Sequence, residues 1–230
     1  MKAFGKYIAA FAILSIISWG ASAEAVLDIS SLRQPHQDFY YLHEASVNYN
    51  TKEQKNRAYQ LIVTGEDLPL GISVIDKVIA IDKNDSESYL LRAYAYSKMK
   101  EYSKANEDYK SALMLEPNNP TFYYLRGLNY IDDALNNGFY SGPYHRPIED
   151  AMRMFNKALA IEPNYINAIV GRGDIEYYLG NYKEAIDYYN RVLVLYPQHD
   201  IVLAKKEDAN DCLRREEEKQ RKRELERRID

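Results

Sequence analysis

Between residues 86 and 119 the apolar positions fall at helical intervals. Tyr89, Ala93 and Tyr96 mark one side of a first helix, Ala105, Tyr109 and Ala112 mark one side of a second, and Pro117 stands just beyond. The same order returns twice downstream. Pro117, Pro163 and Pro197 lie 46 and 34 residues apart, and Ala105, Ala151, Ala185 and Tyr109, Phe155, Tyr189 keep those two intervals. Three columns with shared spacing define an internal repeat, and a period of 34 residues predicts stacked helical hairpins, a solenoid.

The second copy has Tyr123, Gly127 and Tyr130 in its opening helix, then Ala151, Phe155, Ala158 and Pro163. The third has Ile169, Gly173 and Glu176, then Ala185, Tyr189, Val192 and Pro197. Small residues let paired helices approach closely, large aromatics fill the gap between pairs, and proline prevents the second helix from continuing. Upstream, residues 52–85 form a worn copy of the same length. Ile75, Val78, Ile79 and Ile81 stand where Tyr109, Ala112, Leu113 and Leu115 do, but Gly71 replaces the small alanine and Lys83 the proline. Solenoids usually carry such atypical units at their ends. In residues 24–51, Phe39, Leu42, Ala45 and Tyr49 predict a further helix over about 35–48.

The ordered columns resemble the tetratricopeptide repeat family, whose pattern is W-x2-L-G-x2-Y, then A-x3-F, then P. The resemblance implies an all-α, right-handed helical-hairpin solenoid. It would have about three clear repeats at 86–119, 120–165 and 166–199, the degenerate repeat at 52–85, and a capping helix with a charged tail in 200–230. Arg92, Arg126 and Arg172 depart from the family's leucine, and Glu176 from its tyrosine.

Before the repeats, residues 1–23 have the order of a secretory signal peptide. Lys2 and Lys6 precede the apolar stretch 7–19, and Ala21-Ser22-Ala23 offers a cleavage site. The stretch is too short to span a bilayer comfortably, so stable membrane insertion is not expected after cleavage. The expectation is export to the periplasm, with secretion as the alternative. The formal net charge is −4, and −6 without Lys2 and Lys6, which argues against a nucleic-acid partner. The single cysteine, Cys212, has no partner for an intramolecular disulfide.

Two features carry candidate binding chemistry. Twelve extra residues widen one interval from 34 to 46, and they fall within about 131–147, between the helices of the middle copy. Tyr140, Tyr144, His145 and Arg146 of that insert supply aromatic area, hydroxyls and a guanidinium. The second feature is the concave face. The resemblance implies that the opening helices line it, with Leu90, Tyr94, Tyr124, Leu128, Val170, Asp174, Tyr177 and Tyr178 as partner-binding residues. The family's carboxylate clamp needs lysines and asparagines at set places, and here Leu90, Tyr94, Tyr124 and Leu128 occupy them.

A protein or peptide partner held in that groove is therefore the leading expectation, in envelope assembly or secretion. The 22 tyrosines keep a glycan or peptidoglycan ligand open as an alternative. An enzyme is not expected. The four histidines are scattered, no metal-ligand spacing, phosphate loop or nucleophile motif occurs, and no cofactor is implied. A hydrolase using residues of the insert is the remaining alternative. The sequence leaves the oligomeric state open.

Overall fold

The structure is a computed structural model that describes residues 49–137 and 146–229. The leader-like residues 1–23, the predicted helix over 35–48, and Tyr140, Tyr144 and His145 of the insert lie outside the described residues. Among the described residues there are nine α-helices and no strand. They are α1 (Tyr49–Thr64), α2 (Leu68–Ile81), α3 (Ser86–Lys98), α4 (Tyr102–Leu115), α5 (Pro120–Asn137), α6 (Pro147–Ile161), α7 (Ile166–Tyr178), α8 (Tyr182–Leu195) and α9 (Asp200–Ile229). Each helix packs on the next in sequence, and the opening helices also touch across one repeat, α1 with α3 and α3 with α5. The architecture is an all-α helical-hairpin solenoid.

Local chemistry sets the helix ends. The Asp67 carboxylate accepts from the Leu70 amide at 2.9 Å, capping α2, and Pro69 sits in its first turn. Pro147 begins α6, with Glu149 and Asp150 placed well against the positive end of the helix dipole. The turn from α7 to α8 passes through Gly180 at φ +81°, in the left-handed region that favours glycine. The corresponding turn from α3 to α4 places Lys100 at φ 64°. The extra residues of the middle copy lengthen its opening helix, since α5 runs 18 residues against 13 in α3 and α7.

Packing follows the small-large grammar. Ala105, Ala151 and Ala185 have no exposed surface, and Phe155 and Tyr189 are likewise fully enclosed. Phe155 of α6 lies between two glycines on different helices. A Cβ added at Gly127 in α5 would come within 2.4 Å of its ring, and one at Gly171 in α7 within 2.8 Å. A Cβ at Gly173 would meet the Tyr189 ring at 2.7 Å. These glycines are the space that the aromatics fill.

The three arginines at the family's leucine position tie helices together. Arg92 grips Asp108 of α4 with two hydrogen bonds of 2.7 Å and reaches Asp76 of α2 at 2.7 Å. Arg126 donates to Asn106 of α4 at 2.8 Å and to the Tyr130 hydroxyl at 3.3 Å. Arg172 is buried, stacks over Tyr188 at 5.3 Å from the ring centroid, and donates to Glu176 at 2.8 Å. Glu176 thus takes the place of the tyrosine because the arginine one turn earlier needs an acceptor. A guanidinium has five donors and a long apolar stem, so it fills the site of a leucine while joining neighbouring helices, three of them at Arg92.

Candidate functional site

Opening helices α3, α5 and α7 carry the predicted groove. Their side chains three and four residues apart share a face, so Leu90 and Tyr94 fall together, as do Tyr124 and Leu128, and Val170 with Asp174 and Tyr177. The structure divides these residues into two sets. Leu90, Tyr94, Tyr124 and Asp174 are buried, with Leu90 showing no exposed surface at all. Leu128, Val170, Tyr177 and Tyr178 are half-buried.

Tyr124 packs inward. Its ring lies 5.7 Å from that of Phe155 and 5.8 Å, edge-on, from that of Tyr165. Tyr165 in turn donates to the Thr121 hydroxyl at 3.2 Å. The Tyr94 ring receives the Lys98 ammonium at 5.2 Å from its centroid. Leu90, Tyr94 and Tyr124 therefore serve as floor and wall of this face, and they present little surface to a partner.

In the last repeat the expected groove residues have an intramolecular role. The Asp174 carboxylate accepts from the Tyr189 hydroxyl of α8 at 2.6 Å and from the Lys205 ammonium of α9 at 3.1 Å. Burial pushes its carboxyl above the usual carboxylate range, against the pull of Lys205 and the Tyr189 hydrogen bond. The Tyr189 phenol is pushed up as well, by burial first and then by the charge of Asp174. The Tyr177 hydroxyl lies 3.4 Å from the Cys212 sulfur of α9, and its ring meets Tyr182 edge-on at 5.4 Å. Val170 packs against the cluster that holds Val202 and Ala209 of α9. Val170, Asp174 and Tyr177 thus form the seat of the C-terminal helix, which corrects the expectation that they face a partner. Cys212, which has no disulfide partner, is part of that seat.

Two of the predicted residues remain half-buried without belonging to this seat, Leu128 on α5 and Tyr178 at the end of α7. Burial raises the Tyr178 phenol. Tyr178 occupies the same repeat register as Lys98 and Asp132, so the edge of this face carries an amine, a carboxylate and a phenol in successive copies. From the insert, Arg146 is exposed and donates to Glu149 at 2.8 Å.

The described residues contain no group of three or more histidine, cysteine, aspartate or glutamate side chains able to hold a metal ion. No helix among them is long and apolar enough to cross a membrane. A shallow depression on the outer side of α6 is lined by Glu149, Met152, Arg153, Asn156, Lys157 and Ala160, a set with no nucleophile-base pair. The arginine network was missed by sequence reasoning. Its only signal was charge recurring at a position where packing calls for leucine.

Comparison with known proteins agrees with this architecture. Tetratricopeptide repeat models match residues 86–119 and 166–199. A mitochondrial import receptor subunit, TOM70 of Rattus norvegicus, is 28% identical over 110 residues, covering 48% of this chain, and the Mus musculus protein matches equally. The matched region spans only 16% of those relatives' length. Among solved structures, the type IV pilus biogenesis factor PilW is 24% identical with a TM-score of 0.53, over 73% of this chain and 76% of that one. A MamA structure is 20% identical with a TM-score of 0.54, over 72% of this chain and 90% of that one. At these identities the two structures speak to the fold.

Proposed function

We propose that this chain, whose repeats match tetratricopeptide repeat models at residues 86–119 and 166–199, is an exported protein-protein interaction scaffold that holds a segment of another protein along its opening helices. The observation that carries the reading is that Leu128 and Tyr178 stay partly exposed on the opening helices, on a face where the clamp's lysines and asparagines are absent. An extended or helical segment with apolar side chains suits such a surface better than a free carboxylate terminus does. Leu128 and Tyr178 would contact the segment, with Lys98 and Asp132 at the edge and Arg146 marking where the insert begins. A rigid stack of hairpins lowers the ordering cost of binding. Relatives named as receptor subunits match over 110 residues, which supports a role in engaging another protein. The leader-like residues 1–23 support export, and envelope assembly or secretion is the role proposed with it.

A photo-crosslinking residue placed at Leu128 or Tyr178 in living cells tests the binding surface. The reading expects one defined protein adduct from both positions, lost with an alanine at the neighbouring position, and none from Met152 on the outer side of α6. Equal labelling from Met152, or no adduct from either face position, overturns it. Export is tested by fractionation with mass measurement of the mature N-terminus, where a start at Glu24 is expected.

A further inference from the structure

The C-terminal helix continues well past the repeats. α9 has 30 residues, about 45 Å of helix. Its first half docks through Val202, Lys205, Ala209 and Cys212. At Glu216 and Glu217 one side still faces the body, since Glu216 is half-buried and Lys183 of α8 lies 4.0 Å from Glu217. On the opposite side Arg214, Glu218, Arg221 and Leu225 recur at intervals of three and four, all exposed, with Leu225 at 59%. The ion pair of this face among the described residues stays within α9, Arg214 to Asp211 at 2.7 Å.

The order of charges along the helix suggests what covers it. Reversed about a point between Lys219 and Gln220, the sequence complements itself in sign. On the exposed face, Glu218 falls opposite Arg221, Arg214 opposite Leu225, and Asp211 opposite Arg228, with no like charges opposed. Sliding the register by three residues sets Glu218 on Glu218 in one direction, or Arg221 on Arg221 in the other. A parallel pairing sets every charge against itself. We propose that the exposed face of α9 pairs antiparallel with the same face of a second copy of this chain, about a two-fold axis at residues 219 and 220.

Such a contact is isologous, the same patch meeting itself, as closed two-fold dimers require. Glu218 meets Arg221 of the second copy twice, once on each side of the axis, at the centre of the exposed face. Further out, the aliphatic stem of Arg214 covers Leu225 of the second copy, a large apolar side chain that is 59% exposed. The seat of α9 on α7 and α8 holds each helix by its other side, so the two repeat bodies lie away from the shared seam. The mixed charge of this tail is in this register a pairing code, with within-helix pairs such as Glu217 with Arg221 supporting helicity at the same time. Because the seam is mostly ionic, the dimer is salt-sensitive and weak to moderate in affinity.

Sedimentation equilibrium of the full-length chain tests this. The proposal expects a concentration-dependent dimer at low ionic strength that dissociates on adding salt. Glu218→Lys and Arg221→Glu should each weaken it roughly tenfold, because the axis repeats the lost pair and creates a like-charge contact. The double variant should recover dimerisation, with circular dichroism showing equal helicity throughout. As a second measure, Gln220→Cys in a Cys212→Ser background should form a disulfide-linked dimer under mild oxidation, whereas Leu203→Cys in that background should not. A chain that stays monomeric at low salt, a dimer indifferent to both reversals, or equal cross-linking from position 203 would each overturn the proposal.

Discussion

Lys205 of α9 places its ammonium 3.1 Å from the carboxylate of Asp174 in α7, and both side chains are nearly enclosed, at 10% and 3% exposure. The contact joins the last opening helix to the helix that ends the solenoid. Tyr189 of α8 completes it at 2.6 Å from the other carboxylate oxygen. Replacing Lys205 with methionine leaves a buried carboxylate without its counter-charge. The expected loss is about 3 kcal/mol, capped by the docking energy of α9, because undocking returns Asp174 to water. Hydrogen exchange should show faster exchange in α9 with little change in α3 and α4.

Acid titrates the same contact. Burial raises the Asp174 carboxyl above its unfolded value, so the folded chain takes up a proton that the unfolded chain does not. A raised folded pKa means that stability attributable to Asp174 falls as pH rises through the folded value, and grows as pH falls towards the ordinary carboxylate range near about 4. Relative to Asp174→Asn, the wild-type chain should therefore gain stability as pH is lowered from neutrality. Urea unfolding of both proteins across that range checks this, and a wild-type disadvantage that grows in acid contradicts it.

Phe155 between Gly127 and Gly171 makes a second test. Its ring has no exposed surface and a glycine on either side, so it has nowhere to move when a methyl group arrives. Gly127→Ala should destabilise by about 1–3 kcal/mol despite the better helix propensity of alanine. Gly127→Ala combined with Phe155→Leu should recover part of the loss in thermal unfolding.

The arginine network predicts a failure of the family's usual residue. Arg92→Leu restores the family pattern but leaves Asp108, which is buried, without its two hydrogen bonds. The cost should be about 3 kcal/mol. Met154 occupies the position of Asp108 in the next copy. Changing Arg92→Leu together with Asp108→Met should then bring stability back to about the wild-type level, because replacing a whole buried pair by apolar groups is close to neutral. Denaturant melts of the two single variants and the double separate the terms.

The repeat itself was legible from residues alone. Ala105, Ala151 and Ala185, with the aromatics four places on, impose hairpin packing through size and spacing, and those are properties of a short stretch of chain. The glycine at 127 could be read the same way. Gly171 could not, because its reason is the Phe155 ring arriving from a different repeat. Arg172 and Glu176 looked like departures from a pattern, yet they answer one another across a single helical turn at 2.8 Å.

The candidate surface divides along the same line. Helical periodicity alone determined that Leu90, Tyr94, Tyr124, Leu128, Val170, Asp174, Tyr177 and Tyr178 belong to opening helices, since side-chain direction in a helix repeats with its turn. Only the tertiary structure decided which of them remain available. Leu90, Tyr94 and Tyr124 are closed over, and Val170, Asp174 and Tyr177 are taken by α9, a helix that starts more than twenty residues later in the chain. Burial depends on what arrives from elsewhere in the chain, and no local pattern records it.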